Sequence, residues 1–217
     1  QSYSNTDHTF IADTDMVDVW RAFVYSRRKF AGSYDHVPMP LTRERRRIIG
    51  DFTVSPLDLV NHRTYPDTIY QVHGGFDTHG FTVAPFFLLN AQGPAAGYAP
   101  YRCLLPKGLD GILVTGLATS AQRDAMPPMR MQADFQNEGY AAGVAAALAA
   151  KLSGATREVD LKAVQKHLVE IGSLPESVLT DQDSYPLPAE EITEAVRSLA
   201  KTAWAPSYPK KENSPEA

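Results

Sequence analysis

From Gly139 to about Leu152 most positions are Ala or Gly. Small side chains let a helix lie close on a sheet or a ligand, so this helix is expected to be buried on more than one face. No other stretch constrains the fold as strongly. Gly139 is read as the start of the helix and Gly154 as its stop. Upstream, Gly111–Thr115 reads as a compact apolar strand ending at Gly116. Leu117–Asn137, which holds Pro127 and Pro128, reads as an irregular connection.

The remaining elements follow from periodicity and punctuation. Asp13, Thr14 and Asp15 suit a helix cap, and Val17, Trp20, Phe23 and Val24 recur at helical spacing, which predicts a helix over Asp15–Lys29. Ile48–Val54 reads as a strand ended by Ser55–Pro56. Thr68–Val72, Val83–Leu89 and Tyr101–Leu105 read as further strands, with Gln92–Pro100 as a loop. Asp160 caps a helix whose apolar face is Leu161, Val164, Leu168 and Ile171, closed by Gly172. Glu190–Trp204 is the last helix, and the tail from Pro206 has the composition of a disordered segment.

Composition removes several function classes. A net charge of -4 over 217 residues gives no electrostatic case for nucleic acid or an anionic membrane. The run Arg43, Arg45, Arg46 and Arg47 is interrupted by Glu44 and reads as a solvated strand entry. The one cysteine, Cys103, forms no internal disulfide and no thiolate metal site, and reads as buried packing. No apolar run reaches membrane-spanning length, so a soluble, cytoplasmic chain is the default expectation.

Two places carry chemistry. A strand ending in Gly116, a loop and a helix start at Gly139 would let backbone approach a flat ligand. The unpaired N–H groups of a helix start would also stabilise negative charge, such as that of a reduced flavin near N1 and O2. Arg130 lies nine residues before Gly139 and could reach the same ring edge or the substrate. The same glycines also fit a plain turn and close helix packing. The second place is His73, Asp77 and His79, within seven residues. It reads as a substrate site where a His or Asp moves a hydroxyl proton, as a metal site, or as a polar glycine-rich loop.

The literal residues narrow this. Tyr101, Arg102, Leu104, Pro106 and Lys107, then Leu113, Val114, Gly116, Ser120 and Arg130, then Gly139, Ala141, Ala142, Gly143, Ala145 and Ala146 closely resemble the terminal segment of the FAD-dependent oxidoreductases with a glutathione-reductase-like flavin domain. Arg43–Val54, Tyr65–Ile69, Phe76–Gly80 and the helix after Asp160 fit as well, so the resemblance covers roughly Thr42–Gly172. Arg45 stands where that family has a serine.

The resemblance implies an α/β fold (α+β for this portion alone): a partial substrate or cap region over 1–100, the returning strand and helix of the FAD-binding domain over 101–153, a helical extension over 154–205 and a disordered tail over 206–217. It implies FAD as cofactor, with Gly116, Ser120, Arg130, Gly139, Tyr140 and Gly143 around the ring and Gly143 allowing helix to pack on sheet. His79, His73 and Asp77 become the catalytic candidates for hydride transfer from a small organic substrate to flavin N5. One departure is large. No Gly-x-Gly occurs between Gln1 and Ala217, so the pyrophosphate grip of the dinucleotide fingerprint is lacking. The expected partner is therefore an amino-terminal FAD-binding half, in the same or another chain. This carboxyl-terminal portion alone is then expected to be inactive. A non-catalytic complementing subunit and a His/Asp metal-dependent hydrolase are the alternatives.

Overall fold

The computed structural model describes residues 15–29, 31–32, 46–76 and 96–201. The chain divides into two compact units, Gln1–Asp183 and Ser184–Ala217. The first unit holds helices α1 (Met16–Lys29) and α2 (Pro56–Val60), strands β1 (Thr68–Val72) and β2 (Gly97–Pro100), and helices α3 (Met126–Met129), α4 (Gln132–Leu152) and α5 (Leu161–Glu170). The second holds α6 (Ala189–Lys201). This is a mixed α/β chain. Val83–Leu89 and the tail from Pro206 lie outside the described residues.

Where local signals are strong the elements match expectation. Asp15 accepts from the N–H groups of Val17 and Asp18 and starts α1, whose Val17 and Trp20 are exposed. Asp160 accepts from the Lys162 and Ala163 amides and starts α5. Gly172, at φ +75, closes that helix as only a residue without Cβ does readily. Val164 and Leu168 are buried on α5, whereas Ile171 is half exposed. α6 runs Ala189–Lys201, starting one residue before the expected Glu190–Trp204 span, whose residues 202–204 lie outside the described residues.

Five expectations need correction. Ser55–Pro56 does not simply end a strand. Ser55 accepts from the Asp58 amide while Asp58 accepts from the Ser55 amide, a capping box that opens α2. Gly97–Pro100 is not loop but strand β2, antiparallel to β1 with Val72 opposite Gly97. Glycine fits there because a Cβ would stand 3.1 Å from Leu59 Cδ2 on α2. Tyr101–Leu104 is a 3₁₀ turn, not a strand. Asp67 accepts from the Arg102 amide, Nε and Nη2, and those three bonds draw the backbone out of extension. Gly111–Thr115 is not a strand either. The Val114 amide donates to the Leu104 carbonyl, but no ladder forms among the described residues. Ile48–Val54 is not a strand: a bend at Asp51 and Phe52 interrupts it, and it pairs only through isolated bridges, Gly50 to Pro106 and Val54 to Ala121.

The core joins these parts. α4 packs across β1, and α5 packs on both. Ala141, Ala142, Ala145 and Ala149 are the buried face of α4. Their small side chains bring the helix close to its neighbours. Gln165 of α5 is fully buried and donates to the carbonyls of Pro66 and Thr68, satisfying the backbone at the entry to β1. No helix among the described residues is long and apolar enough to cross a membrane.

Candidate functional site

β1 ends at Val72 and hands the chain to His73 and Gly74. A Cβ on Gly74 would stand 2.3 Å from the Pro128 carbonyl oxygen, so glycine is required for the chain to press against the α3 turn. Pro127 and Pro128 are buried in that turn, at positions where a helix lacks N–H partners anyway. Arg130 follows, its amide donating to the Met126 carbonyl, and α4 begins two residues later. Asp134, in the first turn of α4, is 2% exposed and accepts twice from His73. Its Oδ2 takes the backbone N–H at 2.9 Å, and its Oδ1 lies 3.1 Å from Nδ1. The His73 side chain is 58% exposed. A carboxylate on Nδ1 fixes the proton there and leaves the Nε2 lone pair as the acceptor.

α4 starts earlier than expected. The helix opens at Gln132, not at Gly139. Phe135 is the first residue whose amide reaches back, to the Met131 carbonyl at 3.0 Å. The amides of Gln132, Ala133 and Asp134 thus stand ahead of the ladder, in the turn whose Asp134 side chain holds His73, and carry the positive end of the helix dipole. Those of Gly139 and Tyr140 lie inside the ladder. Tyr140 is directed elsewhere: its hydroxyl is 2.8 Å from His167 Nε2 on α5 and the two rings stack. The expectation that α4 is buried on several faces is also corrected. Gln136, Gly139, Gly143 and Ala147 form an exposed side, and a Cβ on Gly139 or Gly143 would meet nothing within 4 Å. Gly143 therefore does not mediate packing on the sheet here. It leaves a smooth, Cβ-free surface.

Gly116 adopts φ +71 and opens a 3₁₀ turn, Gly116–Ala118. Its amide donates at 2.7 Å to Glu138 Oε2. Glu138 is fully buried in mid-α4, and burial pushes its carboxyl up to about 7. Ser120 is fully buried, its Oγ accepting from the Gly50 amide and bonding Thr53 Oγ1. Its hydroxyl is thus engaged in joining the extended segments and is not offered to solvent. Cys103 is buried as expected, and burial raises its thiol.

Asp77 and His79 lie outside the described residues. Among the described residues no group of three or more His, Cys, Asp or Glu is placed to hold a metal. Sequence reasoning missed Asp134 and Glu138. The first has a signal, an acidic residue in a first helical turn, that the misplaced helix start concealed. The second has none, since a charged residue in a run of Ala reads as surface.

Residues 8–168 match the sequence profile of a family described as FAD dependent oxidoreductase. The chain belongs to that family. No curated protein and no solved structure matches at a significant level. The cofactor that this family implies is FAD, and the residues present are chemically compatible with its ring half. The first-turn amides of α4 suit negative charge, and the exposed, Cβ-free side at Gly139 and Gly143 suits a flat group. They do not fit the pyrophosphate half, for which the sequence supplies no Gly-x-Gly.

Proposed function

We propose that this FAD-dependent oxidoreductase oxidises a small organic substrate, with His73 as the group that takes the substrate's proton. The observation that carries this is the His73–Asp134 pair at the first turn of α4, where a half-exposed imidazole is fixed by a buried carboxylate. The chemistry FAD supplies when bound is acceptance of a hydride at flavin N5. The chain's own residues do the rest. As the C–H pair of electrons leaves a carbon bearing a hydroxyl, the hydroxyl proton passes to His73 Nε2 and a carbonyl forms. Asp134 stabilises the resulting imidazolium. Arg130 and the amides of Gln132 and Ala133 offset negative charge at the ring edge, and Gly116, Gly139 and Gly143 admit the ring. Asp77 and His79 remain candidates for substrate contact.

The pyrophosphate grip is assigned to an amino-terminal half carrying the glycine fingerprint, in the same polypeptide or a partner chain. A visible spectrum recorded on the chain alone and with such a half tests this. A flavin band that appears with the pair and bleaches anaerobically on adding substrate supports the reading. A pair that binds no flavin sinks it. Flavin bound but never bleached, across alcohols, hydroxy acids and amines, would favour the non-catalytic subunit.

A further inference from the structure

Glu138 is a buried carboxyl in a helix face otherwise built of alanine. Packing does not call for it, since Ala141 and Ala145 fill equivalent positions without a polar group. One oxygen, Oε2, accepts from the Gly116 amide. The other, Oε1, is buried and has no hydrogen-bond partner among the described residues, and the same holds for the Tyr70 hydroxyl. The titratable groups that bear on this carboxyl are Tyr70 of β1 and Cys103 of the 3₁₀ turn, with the Thr119 hydroxyl alongside. Asp134, one turn earlier on α4, also bears on Tyr70. None of these is a cation. The Gly116 amide at 2.7 Å, and the Thr119 hydroxyl beside it, favour the carboxylate against a low-dielectric surround, which makes the Gly116 bond charge-assisted and strong.

We infer that Glu138 is a positioning residue that latches the Gly116 turn onto α4 as a carboxylate and loosens it when protonated. In the ionised state the Gly116 amide has an anionic acceptor. In the protonated state the acceptor is neutral and the bond is weaker. Burial brings the exchange between these states into the neutral range. The latch acts on FAD only through the reading above, in which Gly116 faces the ring.

The test uses the ¹⁵N-labelled chain without FAD, so that failure of the cofactor reading leaves it unaffected. The Gly116 amide resonance is followed from about pH 5 to 9. It is expected to move with one midpoint near neutrality. In Glu138→Gln, which keeps an oxygen acceptor but cannot ionise, it is expected to stay flat. In Glu138→Ala, Gly116 amide exchange measured at one alkaline pH is expected to be about tenfold faster or more, the size of a lost charge-assisted bond. A Gly116 signal that is flat in the wild type, or that titrates equally in Glu138→Gln, overturns the latch. So does an unchanged exchange rate in a folded Glu138→Ala chain.

Discussion

At the scale of single residues, two buried carboxylates meet opposite fates. Asp134 is satisfied, taking both His73 donors, whereas Glu138 keeps one oxygen without a partner. Asp134→Asn preserves size but offers an amide where Nδ1–H needs an anion. We expect the assembled, FAD-loaded oxidoreductase to lose on the order of 10²–10⁴ in kcat, the usual contribution of a general base, with flavin content unchanged. A loss confined to KM would remove His73 from proton transfer. Glu138 gives a prediction about stability. Its folded carboxyl is raised to about 7 from an ordinary 4.5, so between those values the folded state binds more protons than the unfolded one. Its contribution is fully present below the lower value and is lost as pH rises through the upper. Each unit of that window weakens folding by about 1.4 kcal/mol at most. Denaturation midpoints of wild type should fall relative to Glu138→Gln from acid to neutral pH and run parallel above it. Parallel curves throughout would show that Glu138 is solvated.

At the scale of elements, legibility followed how local the signal was. α5 was readable because Asp160 and Gly172 bound it with their own side chain and backbone. Asp160→Ala should cost about 1 kcal/mol in denaturant unfolding. The start of α4 was not readable because Met131, its N-cap, makes no side-chain cap bond. Nothing in the local sequence distinguishes Gln132 from the proline-containing turn before it, so Gly139 carries the first strong local signal. β2 escaped for the opposite reason: Gly97 and Pro100 read as loop, and only tertiary contact with α2 and β1 makes them strand. The corrected α4 yields a paired prediction. Gly143→Ala sits mid-helix with open space around it, so it should stabilise the chain by up to about 1 kcal/mol. In the same protein it should weaken FAD binding if that surface receives the ring. Stabilisation without any change in FAD affinity would move the ring away from Gly143.

At the scale of the whole first unit, an ion-pair network joins parts of the chain that no sequence motif connects. Asp183, the last residue of that unit, accepts from Arg63 Nε at 2.9 Å and Nη2 at 3.0 Å. Arg63 also donates to Asp58 at 3.0 Å, and Arg102 Nη2 lies 3.8 Å from Asp183. Phe52 carries a guanidinium at 5.0 Å and another at 5.2 Å from its centroid, from Arg63 and Arg102. Beside it the Thr64 hydroxyl donates to the Gln182 carbonyl. A fork-to-fork Arg–carboxylate pair keeps its geometry where single surface pairs do not. Yet Asp183 is about a quarter exposed, so solvent takes much of the Coulomb energy. The balance gives Asp183→Ala an expected cost of about 1 kcal/mol. A double-mutant cycle with Arg63→Met isolates the pair from the packing of Arg63 on Phe52. Because the residues are remote in sequence, the loss should also appear as faster amide exchange in the 3₁₀ turn Glu176–Leu179, which this network ties back to the α2 region. A coupling energy near zero with unchanged exchange would mean that the segment after α5 is held by Val178 and Leu174 in the core alone, and that the ion pairs merely decorate its exit.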